Sequence, residues 1–116
     1  MDINPASLGH VLVVPRSHAT DLHSIDADDL AAVTLAAQRV AGLAVERLGA
    51  DGVNLLTCAG ADAWQTVFHF HTHVIPRYAG RPDKDPLVLP WEPAPGDPER
   101  IAHAAAALRG EREAPA

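Results

Sequence analysis

Three histidines stand at every second position of HFHTHVIPRY, residues 69–78: His69, His71 and His73. Alternate side chains of a β-strand share a face and rise together by roughly 6.5 Å, so a strand here would aim all three imidazoles the same way. Imidazole in such a row can do three things. It can ligate zinc, and an HxH pair grips one ion well. The outer two Cα atoms would lie about 13 Å apart, however, so one ion would need ligands from elsewhere, and His10, His18, Cys58 and Asp62 stand at no signature spacing. It can attack phosphorus as a neutral nucleophile while neighbours hold its tautomer and stabilise charge on the oxygens. The middle histidine suits that chemistry, because its partner two residues on shares its face and can reach the same phosphate. A backbone carbonyl near the first histidine could take its Nδ1 proton and leave Nε2 free. Finally, histidines can merely solvate a half-exposed strand, which is a poor account of three at period two beside Gln65 and Thr66 and ahead of IPR.

The elements around the row must position it. WQTVFHFHTHVI is rich in β-branched and aromatic residues and runs into Pro76, which predicts a strand over about 65–75. Its other face, Thr66, Phe68, Phe70, Thr72 and Val74, is expected to be core. HVLVVPR, between Gly9 and Pro15, reads as a short buried strand over about 10–14. From Ala27 to Leu48 apolar residues recur at spacings of three and four behind the capping candidates Ser24 and Asp26, predicting a long amphipathic helix. Gly49 and the pair Asp51-Gly52 end it, and VNLLTC gives a strand over about 53–58 before the small-residue loop AGADA. That loop is too short for a crossover, so the last two strands should pair antiparallel. After Arg77 the chain turns Pro-rich, and Asp97 with Pro98 caps a second helix over about 98–110. The sum is an α+β fold: an antiparallel sheet with a long helix packed on it, then a Pro-rich arm and a short helix.

At 116 residues the chain is one domain with no room for a separate cofactor-binding unit. Residues 1–80 read as the core, and 81–116 as the arm and C-terminal helix packed on the same domain. A net charge of −6, with a single lysine, argues against a surface for polymeric nucleic acid or anionic membrane. The lone Cys58 excludes an internal disulfide and fits a reducing compartment. With no signal-like start and no long apolar run, a soluble cytoplasmic protein is expected.

HFHTHVI matches the HxHxHxx signature and resembles the histidine triad (HIT) family of nucleotide hydrolases and transferases. DINPASLGHVLVVPRSHATDL is similar to the strand and turn before that family's long helix, GADGVNLL to the strand after it, and QTVFHFHTHVIPRYAG to the catalytic strand and its exit, so the resemblance covers residues 2 to about 80. It implies that His71 is the nucleophile attacking an α-phosphorus to form a nucleotidyl-histidine intermediate, with His73 binding phosphate oxygen. The main chain of His69 would accept the Nδ1 proton of His71, and His69 and His10 would belong to the surrounding hydrogen-bond network. Gln65 and Thr66 match positions contacting the phosphate and leaving group, Asp2 the residue holding the ribose hydroxyls, and Ile3 a wall of the base pocket. Cys58 stands where the family commonly has Asn or Gln, and Trp64 where it has Gly, beside the same phosphate loop. The scheme needs no metal and no cofactor. Its ligand would be a purine nucleotide or nucleotide conjugate resembling AMP, and its assembly a homodimer. Family members usually carry a further helix and strands before the DINP turn, often with a Cys-x-x-Cys metal clip. This sequence is expected to be abbreviated there, leaving a sheet edge that invites association.

Overall fold

The computed structural model describes residues 1–111. Three strands, β1 (Val11–Val13), β2 (Gly52–Leu56) and β3 (Thr72–Arg77), form one sheet in the order β1-β3-β2, and both pairings are antiparallel. Two helices, α1 (Ala27–Leu48) and α2 (Pro98–Leu108), complete the fold. It is the expected α+β architecture, with the histidine-bearing strand at its centre.

Helix α1 forms where its signals place it. The Asp26 carboxylate accepts the Asp29 amide at 2.9 Å, Asp28 and Asp29 complement the dipole in the first turn, and Gly49 closes the helix at φ 70°, a conformation glycine adopts without steric cost. Ser24, the other capping candidate, instead exchanges hydrogen bonds with Asp21 in the preceding turn. Val33, Ala37 and Ala44 are buried, and their small size lets the helix lie close on β3. Gly9 serves the same approach from the other side, since a Cβ there would stand 2.5 Å from Leu48 Cδ1.

The predicted strand over 65–75 is shifted. Strand β3 starts only at Thr72 and continues through Pro76 to Arg77. Phe70, Thr72 and Val74 are buried as expected, but Phe68 is 51 % exposed, so the alternation begins at Phe70. The preceding residues are held otherwise: the Phe70 amide donates to the Ala19 carbonyl at 2.7 Å, away from either neighbouring strand. Pro76 is tolerated in a central strand because β1 pairs only as far as Val74, leaving Pro76 opposite Val53 of β2 alone. Its carbonyl accepts the buried Ser7 hydroxyl.

Arg77 anchors the start of the arm, donating to Asp85, Asn54 and the Leu87 carbonyl, each at 2.8 Å. The Leu8 amide donates to the Lys84 carbonyl, and the Tyr78 hydroxyl to the Leu8 carbonyl. Beyond this tie the chain leaves the core. Helix α2 has its Asp97 cap and Pro98 first turn, but the expected packing on the domain is absent among the described residues: α2 buries no residue and meets neither α1 nor any strand. The radius of gyration is accordingly 17.7 Å, against about 13 Å for a compact chain of this length. No helix among the described residues is long and apolar enough to cross a membrane.

Candidate active site

The histidines are organised by groups whose hydrogen-bonding sense is not in doubt. A carbonyl can only accept, so the contact between His71 Nδ1 and the His69 carbonyl at 2.8 Å puts a hydrogen on Nδ1 and, in the neutral ring, leaves the Nε2 lone pair free. An amide can only donate, so the Ala6 N–H, 3.0 Å from His10 Nδ1, makes that nitrogen an acceptor. His10 Nε2 then carries the hydrogen and gives it to His73 Nδ1 at 2.8 Å. The hydrogen of His73 is thereby on Nε2. One backbone amide thus sets the tautomers of two rings, and a second backbone group sets the third.

Both rings of this relay resist protonation. Burial lowers the His10 pKa below the ordinary imidazole value, against the opposing pull of Asp2. Burial also lowers that of His73, helped by His71 and His10 and opposed by Asp2. The Asp2 carboxylate lies 3.6 Å from His10 Nε2 and its other oxygen accepts the Asn4 amide. The rings of His71 and His73 meet edge to face at 4.9 Å, so a lone pair and an N–H donor stand side by side.

His69 departs from the expected row. It lies outside β3, as His71 does, but its ring also turns elsewhere: its Nε2 donates to the Pro15 carbonyl at 3.2 Å, and its Nδ1 meets His18 Nδ1 at 3.3 Å. Its backbone therefore serves His71 while its ring faces His18, which lies in the loop between β1 and α1. His23 and His103 form no part of this cluster.

The segment before β3 is held at both ends, and one of them reaches the nucleophile candidate. The Thr57 hydroxyl donates to the His71 carbonyl. Gln65, 4 % exposed, accepts the Gly60 amide and donates to the Thr20 and Val67 carbonyls. Its side chain thus holds the loop together. Trp64 caps the short 3-10 turn Ala61–Ala63 at φ 71°, is 64 % exposed, and takes a left-handed conformation that favours glycine. Thr66 is exposed, Cys58 half-buried and Ile3 91 % exposed. Among the described residues no hydrogen bond or ring contact joins these four to the histidines. Thr57, Ala6 and Ser7 were missed by sequence reasoning. Ala6 acts through its backbone, which no side chain announces, and Thr57 and Ser7 look like ordinary strand and turn residues.

Asp2, His10 and His73 offer ligand atoms within 4.8 Å of one another. The hydrogen on His10 Nε2 argues against a metal there, because the Ala6 amide already occupies the ring's other nitrogen. Coordination would require breaking that bond. The cluster is built to fix the tautomers of two neutral rings.

A three-stranded antiparallel sheet under one long helix, with HxHxH entering its central strand, defines an α+β fold of histidine triad type. The chain belongs to the HIT domain family, whose model matches residues 1–80. It is 42 % identical over 78 residues to an uncharacterized HIT-like protein of Mycoplasma genitalium, covering 67 % of this chain and 55 % of that one. It is 38 % identical over 77 residues to adenylylsulfatase HINT3 of Arabidopsis thaliana, covering 66 % of this chain and 39 % of that protein. The crystal structure of a HIT family member from Bacillus subtilis superposes with a TM-score of 0.81 at 25 % identity, over 99 % of this chain and 81 % of that one. The chain spans little more than half the length of the M. genitalium relative.

Proposed function

We propose that this protein cleaves the bond between a nucleoside 5′-phosphoryl group and its leaving group, in a phosphoramidate or a dinucleoside polyphosphate, through a covalent intermediate on His71. The observation that carries this reading is the free Nε2 of His71, with its Nδ1 hydrogen held by the His69 carbonyl at 2.8 Å. Nε2 attacks the α-phosphorus, the bond from phosphorus to the leaving group breaks, and that group departs with a proton. The ring becomes a phosphorylated imidazolium whose Nδ1–H still points at the carbonyl, which favours the positive charge. Water then attacks phosphorus, the N–P bond breaks, a proton is released, and neutral His71 returns with AMP as product.

His73 serves as donor to a phosphate oxygen through Nε2–H, kept in that tautomer by His10. Asp2 is assigned to the ribose hydroxyls and Ile3 to a wall for the purine. Gln65 positions the phosphate loop from within, while Thr66, Cys58 and Trp64 border the leaving group. The protein acts without a metal or cofactor, as a soluble cytoplasmic homodimer. A second reading, AMP binding without turnover, is favoured by Thr66, Cys58 and Trp64, which among the described residues make no hydrogen bond to the histidines and so bring no group to the leaving-group side. Release of AMP from adenosine 5′-phosphoramidate separates the two. Catalytic release by the native chain, abolished in His71→Ala, is expected; tight AMP binding with no release would establish the binding reading instead.

A further inference from the structure

The sheet ends just short of the nucleophile candidate. Strand β2 stops at Leu56, opposite His73, and β1 stops at Val13, opposite Thr72. Carrying the β2 register two residues further would set Cys58 opposite His71, but the strands have parted there, so His71 enters the sheet one residue ahead of any paired position. Other bonds take over. The ring Nδ1–H donates to the His69 carbonyl at 2.8 Å, and the carbonyl of His71 itself accepts the Thr57 hydroxyl at 2.5 Å. On the residue before, the Phe70 amide donates to the Ala19 carbonyl at 2.7 Å. The main chain on the two sides of the His71 Cα is thus fastened to two different elements, the loop before α1 and the end of β2.

We infer that Thr57 is a positioning residue for the reaction: its hydroxyl holds the main chain of His71 where the ladder has ended, and so sets the line along which Nε2 meets phosphorus. This role rests on His71 being the nucleophile. The two bonds at His71 do different work. The His69 carbonyl fixes which ring nitrogen carries the hydrogen, but His69 belongs to the same unpaired segment and moves with it. Thr57 belongs to the neighbouring strand's exit, so its hydroxyl refers the nucleophile to the sheet and closes the neck of the loop 58–70, which Gln65 holds together from within. Nε2 stands at the far end of the ring, where a small rotation of the backbone is magnified. Attack in line tolerates little of that, since a displacement of about 1 Å costs on the order of 100-fold in rate. Thr57 touches no part of the substrate, and the loss on removing it therefore falls on kcat rather than on KM.

Thr57→Val removes the hydroxyl and keeps the branched shape, whereas Thr57→Ser keeps the hydroxyl. With adenosine 5′-phosphoramidate, Thr57→Val should lose about 10- to 100-fold in kcat with KM within about twofold of native, measured at a temperature where its melting curve shows it folded. Thr57→Ser should recover kcat to within about threefold of native. Nitrogen NMR of histidine-labelled protein should show one sharp set of His71 ring signals in the native chain and in Thr57→Ser, and split or broadened ones in Thr57→Val. Native kcat in Thr57→Val, a loss confined to KM, or a Thr57→Ser variant as slow as Thr57→Val overturns the positioning role. Failure of His71 as nucleophile looks different: the native chain itself releases no AMP. The ring signals then decide alone whether Thr57 holds His71, and an unchanged spectrum in Thr57→Val overturns it.

Discussion

If His10 is the relay between the Ala6 amide and His73, replacing it should separate shape from hydrogen bonding. His10→Leu keeps an apolar volume in a site where the native residue is 5 % exposed, but orphans two part-buried groups, the Ala6 N–H and His73 Nδ1. Each orphan is part-buried, so its cost lies at the low end of the about 1–3 kcal/mol of a buried group, and with leucine's burial as a partial offset the net loss is about 1–2 kcal/mol. For a domain of this size that lowers Tm by about 5–10 °C. Activity should fall further than stability explains, because His73 can now carry its hydrogen on Nδ1 and turn a lone pair toward the phosphate; a 10- to 100-fold loss in kcat/KM is expected. His10→Gln is the informative companion. Its amide oxygen and nitrogen are spaced like the two ring nitrogens, so it can accept from Ala6 and donate to His73. Calorimetry and steady-state assay of both variants with adenosine 5′-phosphoramidate should place Gln close to native and Leu far below. A Leu variant as active as native, or a Gln variant as poor as Leu, would refute the relay.

Other outcomes follow from the same geometry. Ser7→Ala leaves the buried Pro76 carbonyl without its hydroxyl partner and should cost about 1–3 kcal/mol, read as a lower denaturant midpoint at unchanged m-value. Trp64→Asn replaces an exposed indole held at φ 71° by a residue that tolerates that conformation, and should raise stability by about 1 kcal/mol; a comparable loss would mean that the indole braces the loop. Because His10 and His73 titrate below the unfolded value of 6.5, the unfolded chain binds protons that the folded chain refuses. Stability from these rings is therefore full above about pH 6.5 and declines as pH falls below it. The melting temperature should drop across that window, less steeply in His10→Gln.

Much of this could be read from the chain because local signals and tertiary demand agree in it. Helix α1 begins and ends where Asp26 and Gly49 say, and the antiparallel return from β2 to β3 follows from a loop too short for a crossover. The histidine strand was misplaced because composition cannot see which backbone partners are available. Residues Gln65 to Phe70 are β-prone, but their hydrogen bonds go to Thr20 and Ala19 rather than to a ladder, so the period-two face starts late and His69 turns toward His18. His71 and His73 could be singled out by spacing alone, whereas the Ala6 amide and the Thr57 hydroxyl act through contacts 4 and 14 residues distant in sequence. The separation of α2 from the core was hidden for a different reason: an amphipathic pattern marks a face as apolar without stating what it packs against.

The most direct test of the account is intact-protein mass spectrometry during turnover of adenosine 5′-phosphoramidate, quenched without acid so that an N–P bond survives. The account predicts one AMP unit added to the native chain, carried on His71, with no adduct on His71→Ala. An adduct that persists in the variant, or AMP release from a chain lacking the His71 imidazole, would contradict it.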